Sequence, residues 1–151
     1  MSFKAETTDT DLQKWAHKLN IPLVFIGFKD KLPHMPKPGT YIVNLASSTD
    51  SSGGTHWISL YLAPNRNSLY YDSFGAPPPD EVLNFARKWT TNAKKIFINP
   101  YDIQSLNSGF CGEFSIDFLA NIMHNPTREG FIHFLHQYRL FRVQNIKDTN
   151  I

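Results

Sequence analysis

A single cysteine, at position 111, is all the 151-residue chain contains, so no disulfide can form within it. Neither that thiol nor the six histidines show the paired Cys/His spacing of a structural zinc site. A lone thiol fits a reducing compartment, where it can stay reactive. Long hydrophobic runs are missing too. The longest, Ile21 to Phe28, is interrupted by Pro22 and Gly27 and is far too short to cross a bilayer. The first eleven residues are polar and lack the apolar centre of a secretory signal. No charge of one sign dominates: 15 basic against 13 acidic residues leave +2, which permits contact with nucleic acid or acidic partners without arguing for it. Repeats, linkers and low-complexity blocks are absent. The expectation is a soluble, intracellular, monomeric protein, with residues 1–151 forming one domain and no membrane contact.

What is present is a globular composition, 41% apolar and 19% charged, in a chain long enough to bury about two thirds of its unfolded surface. Thr8 or Asp9 caps a first helix with Leu12, Trp15, Ala16 and Leu19 on one face, and Pro22 ends it. Leu23 to Phe28 reads as a short buried strand, Lys29 to Gly39 as a proline-rich loop, and Tyr41 to Leu45 as a second strand. A Ser/Gly-rich connection, Ala46 to Thr55, follows. His56 to Leu62 and Ser68 to Ser73 form the clearest hairpin, joined by Ala63-Pro64-Asn65-Arg66-Asn67. Pro77 to Asp80 opens a helix through Trp89, and Lys94 to Asn99 reads as a strand stopped by Pro100. Cys111 opens another helix, bearing Phe114, Ile116, Phe118, Leu119 and Ile122. Asn125-Pro126-Thr127 breaks it before a last helix to about Tyr138, and Leu140 to Ile146 is a terminal strand or a loose tail. This order predicts an α+β domain, a mixed or antiparallel sheet with helices packed against it.

Three places in this frame carry chemistry. Cys111 stands where the polar stretch Gln104 to Gly109 meets an apolar helical pattern, so its sulfur lies at a helix N-terminus. A thiol attacks a carbonyl as thiolate, and a free thiol near pH 8.5 is mostly protonated at neutral pH; a helix N-terminus and an imidazolium both lower that value. The hairpin brings His56 and Asp72 to one end of the sheet, where an acid can orient an imidazole. Gly112 allows tight backbone approach and leaves the Cys111 amide free to bind an oxyanion, with the Gln104 side chain as a second donor. Each residue alone also fits a plain role: a buried thiol, a packed His-Trp pair, a turn aspartate. His133 and His136 read as helix-face residues without further metal ligands, and Arg87, Lys88, Lys94 and Lys95 as a solvated face. Only the conjunction points to a thiol protease with no metal and no cofactor.

On these residues the chain resembles the adenovirus-type maturation proteases, cysteine peptidases that share a fold with the SUMO-specific proteases. The order His, acid, Gln, Cys is that family's and differs from papain's, where the cysteine comes first. The likeness includes Ile42-Val43-Asn44 leading to Gly53-Gly54-Thr55-His56-Trp57, Phe74-Gly75 after the acid, and Gln104 with Asn107-Ser108 before Cys111-Gly112. It also takes in Gly27 to Lys31 and His124 to Thr127, so it runs from about Asp11 to Thr127. The resemblance implies a papain-like, adenain-like fold. It implies Cys111 as nucleophile, His56 as general base, Asp72 as orienting acid and Gln104 as oxyanion donor, with Trp57, Gly54, Asn107 and Gly112 along the substrate cleft. It further implies cleavage after glycine in Gly-containing motifs of capsid or other structural precursors, within the virion and the host cytoplasm or nucleus, as in the small proteases of virophages and Polinton-like elements.

The chain departs from that pattern in places. Asp72 stands where the adenovirus enzymes carry glutamate, although the SUMO proteases use aspartate. With no second cysteine, an activating peptide cannot be disulfide-linked, and DNA as activator draws little support from a +2 chain. The chain also ends soon after the last helix, so surfaces that longer relatives build there are expected to be reduced. Two other readings stay open: an isopeptidase that removes a ubiquitin-like modifier ending in Gly-Gly, and a non-catalytic binding protein. The first fits less well, because the Gln104-to-Cys111 spacing is one residue longer than in the SUMO proteases and Phe110 replaces their usual aspartate.

Overall fold

The computed structural model of the chain describes residues 7–49, 56–64, 67–90, 95–99 and 111–137. Helix α1 spans Asp9–Lys18 and is closed at its start by a reciprocal pair. The Thr8 hydroxyl accepts from the Asp11 amide at 3.2 Å and the Asp11 carboxylate accepts from the Thr8 amide at 3.1 Å, so Thr8 rather than Asp9 is the cap. Strand β1 is Leu23–Phe28, followed by a single 3₁₀ turn at Lys29–Lys31 inside the expected loop, and β2 is Gly39–Asn44. Strands β3, Trp57–Leu62, and β4, Ser68–Tyr71, form the hairpin. Helix α2 is Asp80–Trp89, β5 is Ile96–Ile98 and α3 is Cys111–Ile122. A fourth helix, α4, covers residues 128–137. Thr127 caps it, its hydroxyl accepting from the Gly130 amide at 3.1 Å. The suggested tail strand, Leu140 to Ile146, lies outside the described residues.

The five strands lie in the sheet in chain order, β1-β2-β3-β4-β5. The outer pairs are parallel and the inner two are antiparallel, so the sheet is mixed. Helices cover both faces, which explains why its strands read as nearly continuous apolar runs rather than clean alternation. One face buries Ile42, Trp57, Leu69 and Tyr71 with Leu12 and Ala16 of α1, Ile116, Phe118 and Leu119 of α3, and Phe131 and Phe134 of α4. The other buries Tyr41, Val43, Ile58, Leu60 and Tyr70 against Val82, Phe85 and Ala86 of α2. Each such apolar side chain withdrawn from water contributes about 1.5–3 kcal/mol.

Phe118 ties the first core together. It stacks on Tyr71 at 4.7 Å between ring centroids and meets Phe131 at 5.0 Å and Phe134 at 5.4 Å, joining α3, β4 and α4. The Tyr71 hydroxyl, by contrast, is buried with no hydrogen-bond partner among the described residues. Phe118→Ala should therefore destabilise the fold by about 3–5 kcal/mol. Tyr71→Phe, which keeps the ring and drops an unpartnered hydroxyl, should stay within about 1 kcal/mol of wild type or gain stability. Urea unfolding of the two variants checks this; a large loss for Tyr71→Phe would mean that the hydroxyl has a partner.

Candidate active site

The hairpin register explains how His56 and Asp72 meet. Strand β3 pairs with β4 through Ser59–Tyr71, Leu60–Tyr70 and Tyr61–Leu69. Continued past the last paired residues, that register sets Phe74 across from His56 and Asp72 one diagonal step away, within side-chain reach. Both residues lie just beyond the strands expected to contain them: β3 begins at Trp57 and β4 ends at Tyr71. His56 is still held to the sheet, its carbonyl accepting from the Leu45 amide at 2.8 Å.

His56 Nε2 donates to Asp72 Oδ1 at 2.6 Å, and the Phe74 ring lies flat on the imidazole, with centroids 4.3 Å apart and planes 12° from parallel. The Phe74 amide donates to the same carboxylate oxygen at 2.8 Å, so the turn after β4 folds back to fix the acid. Asp72 is fully buried, while 18% of the His56 side chain is exposed. The other ring nitrogen, Nδ1, has no hydrogen-bond partner of normal geometry among the described residues. It is the nitrogen left over for the Cys111 sulfur. Burial is the largest influence on the ring and pulls it toward neutrality. The hydrogen bond to Asp72, then the neighbouring Cys111 thiol, together with the charges of both, outweigh burial and raise the imidazole pKa to about 9.

The thiol is placed by the way α3 lies on β3. Cys111 and Ser115 are four residues apart on one helix face, and Trp57 and Ser59 are two apart on one strand face. The Ser115 hydroxyl donates to the Trp57 carbonyl at 3.1 Å, and the Ser59 hydroxyl makes a longer contact, 3.5 Å, with the Ser115 carbonyl. With the helix pinned there, the Trp57 amide donates to Cys111 Sγ at 3.4 Å. Cys111 is the first residue of α3 and is 7% exposed. A backbone N–H is thus aimed at the sulfur, which lies at the positive end of the helix dipole.

Trp57 itself is more deeply set than a cleft wall requires. It is 4% exposed, and its indole N–H donates to the Thr7 carbonyl at 3.1 Å. One side of it still borders a 260 Å³ cavity shared with Thr7, Gly27, Phe28 and Asn44. Thr7 also donates its hydroxyl to the Glu113 carboxylate at 2.6 Å, so the N-terminal segment ties β3 to the first turn of α3. A Cβ on Gly112 would come within 2.8 Å of the Thr7 methyl, so glycine at that position permits the close approach of the two segments.

The structure thus brings together His56, Asp72, Cys111, Trp57 and Gly112, whereas Gln104, Gly54 and Asn107 lie outside the described residues. Among the described residues no group of three or more His, Cys, Asp or Glu side chains could hold a metal ion, and no helix is long and apolar enough to cross a membrane. Two contributors went unread in the sequence. Phe74 was noticed as part of a motif but not as the plate under the imidazole. Asn99, read only as a strand end, binds the Asp72 backbone twice. Its signal was a polar side chain closing a short apolar strand just before a proline.

No protein-family model matches the chain. It is 30% identical over 139 residues to a protein of Equine adenovirus B serotype 2 described as "Protease", covering 81% of this chain and 68% of that one. A crystal structure of the selenomethionine ASFV pS273R protease superposes with a TM-score of 0.47 and 17% identity. It matches 80% of this chain, which spans 58% of that structure's length.

The raised imidazole pKa has a consequence for stability. A folded-state value of about 9 against about 6.5 in the unfolded chain means that the His56 contribution is fully present below pH 6.5 and is lost as pH climbs through 9. Asp72→Asn removes the strongest raising influence and leaves burial, so this fall should flatten or reverse. Urea unfolding at pH 6, 7.5 and 9 measures it. Parallel pH profiles for wild type and Asp72→Asn would contradict the assignment.

Proposed function

The chain belongs to the adenovirus-type protease family, and from that premise we propose that it is a cysteine endopeptidase that cleaves viral structural precursors, capsid proteins among them, during virion maturation. The observation that carries the reading is the single imidazole held between a buried carboxylate, 2.6 Å away, and a thiol at a helix N-terminus. That arrangement supports the division of labour in which His56 takes the thiol proton, Asp72 keeps the ring aimed and favours its charged form, and Cys111 attacks as thiolate.

In this mechanism Sγ adds to the scissile carbonyl carbon and the C=O electrons move to oxygen. The amide of Cys111, with Gln104 as second donor, binds that oxyanion. Collapse breaks the C–N bond, and the proton carried by His56 passes to the leaving amine. Water, deprotonated by the same ring, then attacks the thioester, releases the new carboxyl terminus and restores the thiol. Cleavage after glycine, with Trp57, Gly54, Asn107 and Gly112 along the cleft, is the finer part of the proposal. The 260 Å³ cavity beside Trp57 and Phe28 is the candidate for part of that cleft.

The test is to incubate the protein with structural precursors from its own genome and map the new N-termini. Cuts following glycine are expected. Cys111→Ala and His56→Ala should each lower cleavage by roughly a thousandfold or more, and Asp72→Asn by less, because the nucleophile and base remain while their alignment suffers. Unchanged cleavage by Cys111→Ala would end the cysteine-protease reading. Efficient labelling of Cys111 by a covalent ubiquitin-like probe, with no precursor cut, would move the assignment to an isopeptidase.

A further inference from the structure

We propose that Asn99 positions the acid of this site: its side-chain amide clamps the backbone of Asp72 and so aims the carboxylate at the His56 ring. The inference rests on the reading of Cys111, His56 and Asp72 as a catalytic set, and it assigns a role to a residue outside that set.

The clamp has two bonds. The Asp72 amide donates to Asn99 Oδ1 at 2.9 Å, and Asn99 Nδ2 donates to the Asp72 carbonyl at 2.5 Å. Only one of the two orientations of the Asn99 amide satisfies both, so the side chain's facing is determined by its partners. Two bonds from one planar group fix rotation as well as distance, which a single bond would not. Both residues are buried, Asn99 at 2% exposure and Asp72 at none, where hydrogen bonds are not exchanged freely with water.

The position in the sheet explains why a side chain does this. Strands β4 and β5 run parallel, paired through Ser68–Ile96, Leu69–Phe97 and Tyr70–Ile98. Asp72 and Asn99 each follow the last residue of their strand. The next residue in the sequence, Pro100, has no backbone N–H with which to carry the ladder on. The Asn99 side chain supplies a donor and an acceptor to the Asp72 backbone just past the last paired residues. At the opposite end of the seam an asparagine makes a single such bond, the Lys95 amide donating to Asn67 Oδ1 at 2.8 Å.

The carboxylate depends on this hold. Its Oδ1 accepts from the Phe74 amide and from His56, whereas Oδ2 is buried with no partner among the described residues. The direction of Oδ1 therefore follows from the Phe74 amide and from where the backbone of Asp72 is kept. A displacement of about 1 Å at such a group can lower a rate on the order of a hundredfold.

The test uses the full chain as wild type, Asn99→Ala, Asp72→Asn and the double variant, with Asn99→Ser giving the same readouts should Asn99→Ala not fold. NMR titration of the imidazoles reads His56, and the other five histidines serve as internal references. Loss of the clamp should lower the His56 pKa from about 9 toward the ordinary imidazole value and leave the other five in place. Iodoacetamide alkylation of Cys111 should slow about tenfold to a hundredfold. Because Asn99 acts through Asp72, its loss should add less than about twofold once Asp72 is Asn. A folded Asn99 variant with an unmoved His56 pKa, or losses that multiply in the double variant, overturns the clamp. A wild type that cuts no precursor while His56 responds as expected sinks the endopeptidase reading and upholds the clamp.

Discussion

Everything at the candidate site depends on how closely a helix can lie on a strand. Ser59 and Ser115 face each other where β3 meets α3, and their small side chains let the helix come near enough for the Ser115 hydroxyl to reach the Trp57 carbonyl. A larger pair would lift the helix, and the Trp57 amide would lose the Cys111 sulfur. The strand residue that follows His56 therefore also sets the thiol's position. One short segment, His56-Trp57, offers an imidazole from its side chain and a sulfur-directed donor from its backbone. Cys111 and His56, the proposed nucleophile and base, are positioned by helix α3 and by the sheet.

Around that contact the two cores have different tasks. The core that contains Phe118, Tyr71 and Leu119 anchors α3 from beneath, so the first turn is carried by a well-packed helix. The opposite core, with Tyr41, Leu60 and Phe85, holds the centre of the sheet flat against α2 and keeps β3 and β4 paired up to the residues that carry His56 and Asp72. Thr7 joins strand to helix from outside, through the Trp57 indole and the Glu113 carboxylate. The result is a site whose parts come from the ends of elements, while the elements themselves are buried on both sides.

What the sequence made legible follows from which interactions are local. The β3–β4 hairpin could be read because its strands, turn composition and register lie within one short stretch, and the meeting of His56 and Asp72 followed from it. The start of α3 at Cys111 could be read from the switch between a polar stretch and helical periodicity. The parallel pairings β1–β2 and β4–β5 left no such trace, because crossovers set them and no local alternation encodes them. For the same reason the sheet could be narrowed only to mixed or antiparallel. Thr7 against Glu113 joins residues 106 positions apart, and nothing near either one announces the other. Trp57 was expected as a cleft wall, yet its place at the start of β3 puts most of its ring in the core beneath α1 and α3, with its N–H satisfied by Thr7. Asn99 escaped notice because a side chain that holds a neighbouring strand's backbone looks, in sequence, like any polar residue at a strand end.

The buried carboxylate is the costly part of this design, and its surroundings make it tolerable. A charged group with no exposure is unfavourable unless it is paired and hydrogen-bonded. Asp72 has an imidazole inclined to be charged, the Phe74 amide, and a backbone held at both its N–H and its carbonyl, but its second oxygen has no partner among the described residues. Replacing a buried pair of this kind by apolar groups of similar volume is often neutral or stabilising, so stability is weak grounds for the arrangement. The structural expense is met by the apolar surface on both faces of the sheet, and the return is an imidazole that favours its charged form at neutral pH although burial alone would discharge it. His56, Asp72 and Asn99 lie just past the ends of β3, β4 and β5, where a polar group can be clamped without breaking a ladder, and so the polar groups collect at one end of an otherwise apolar sheet.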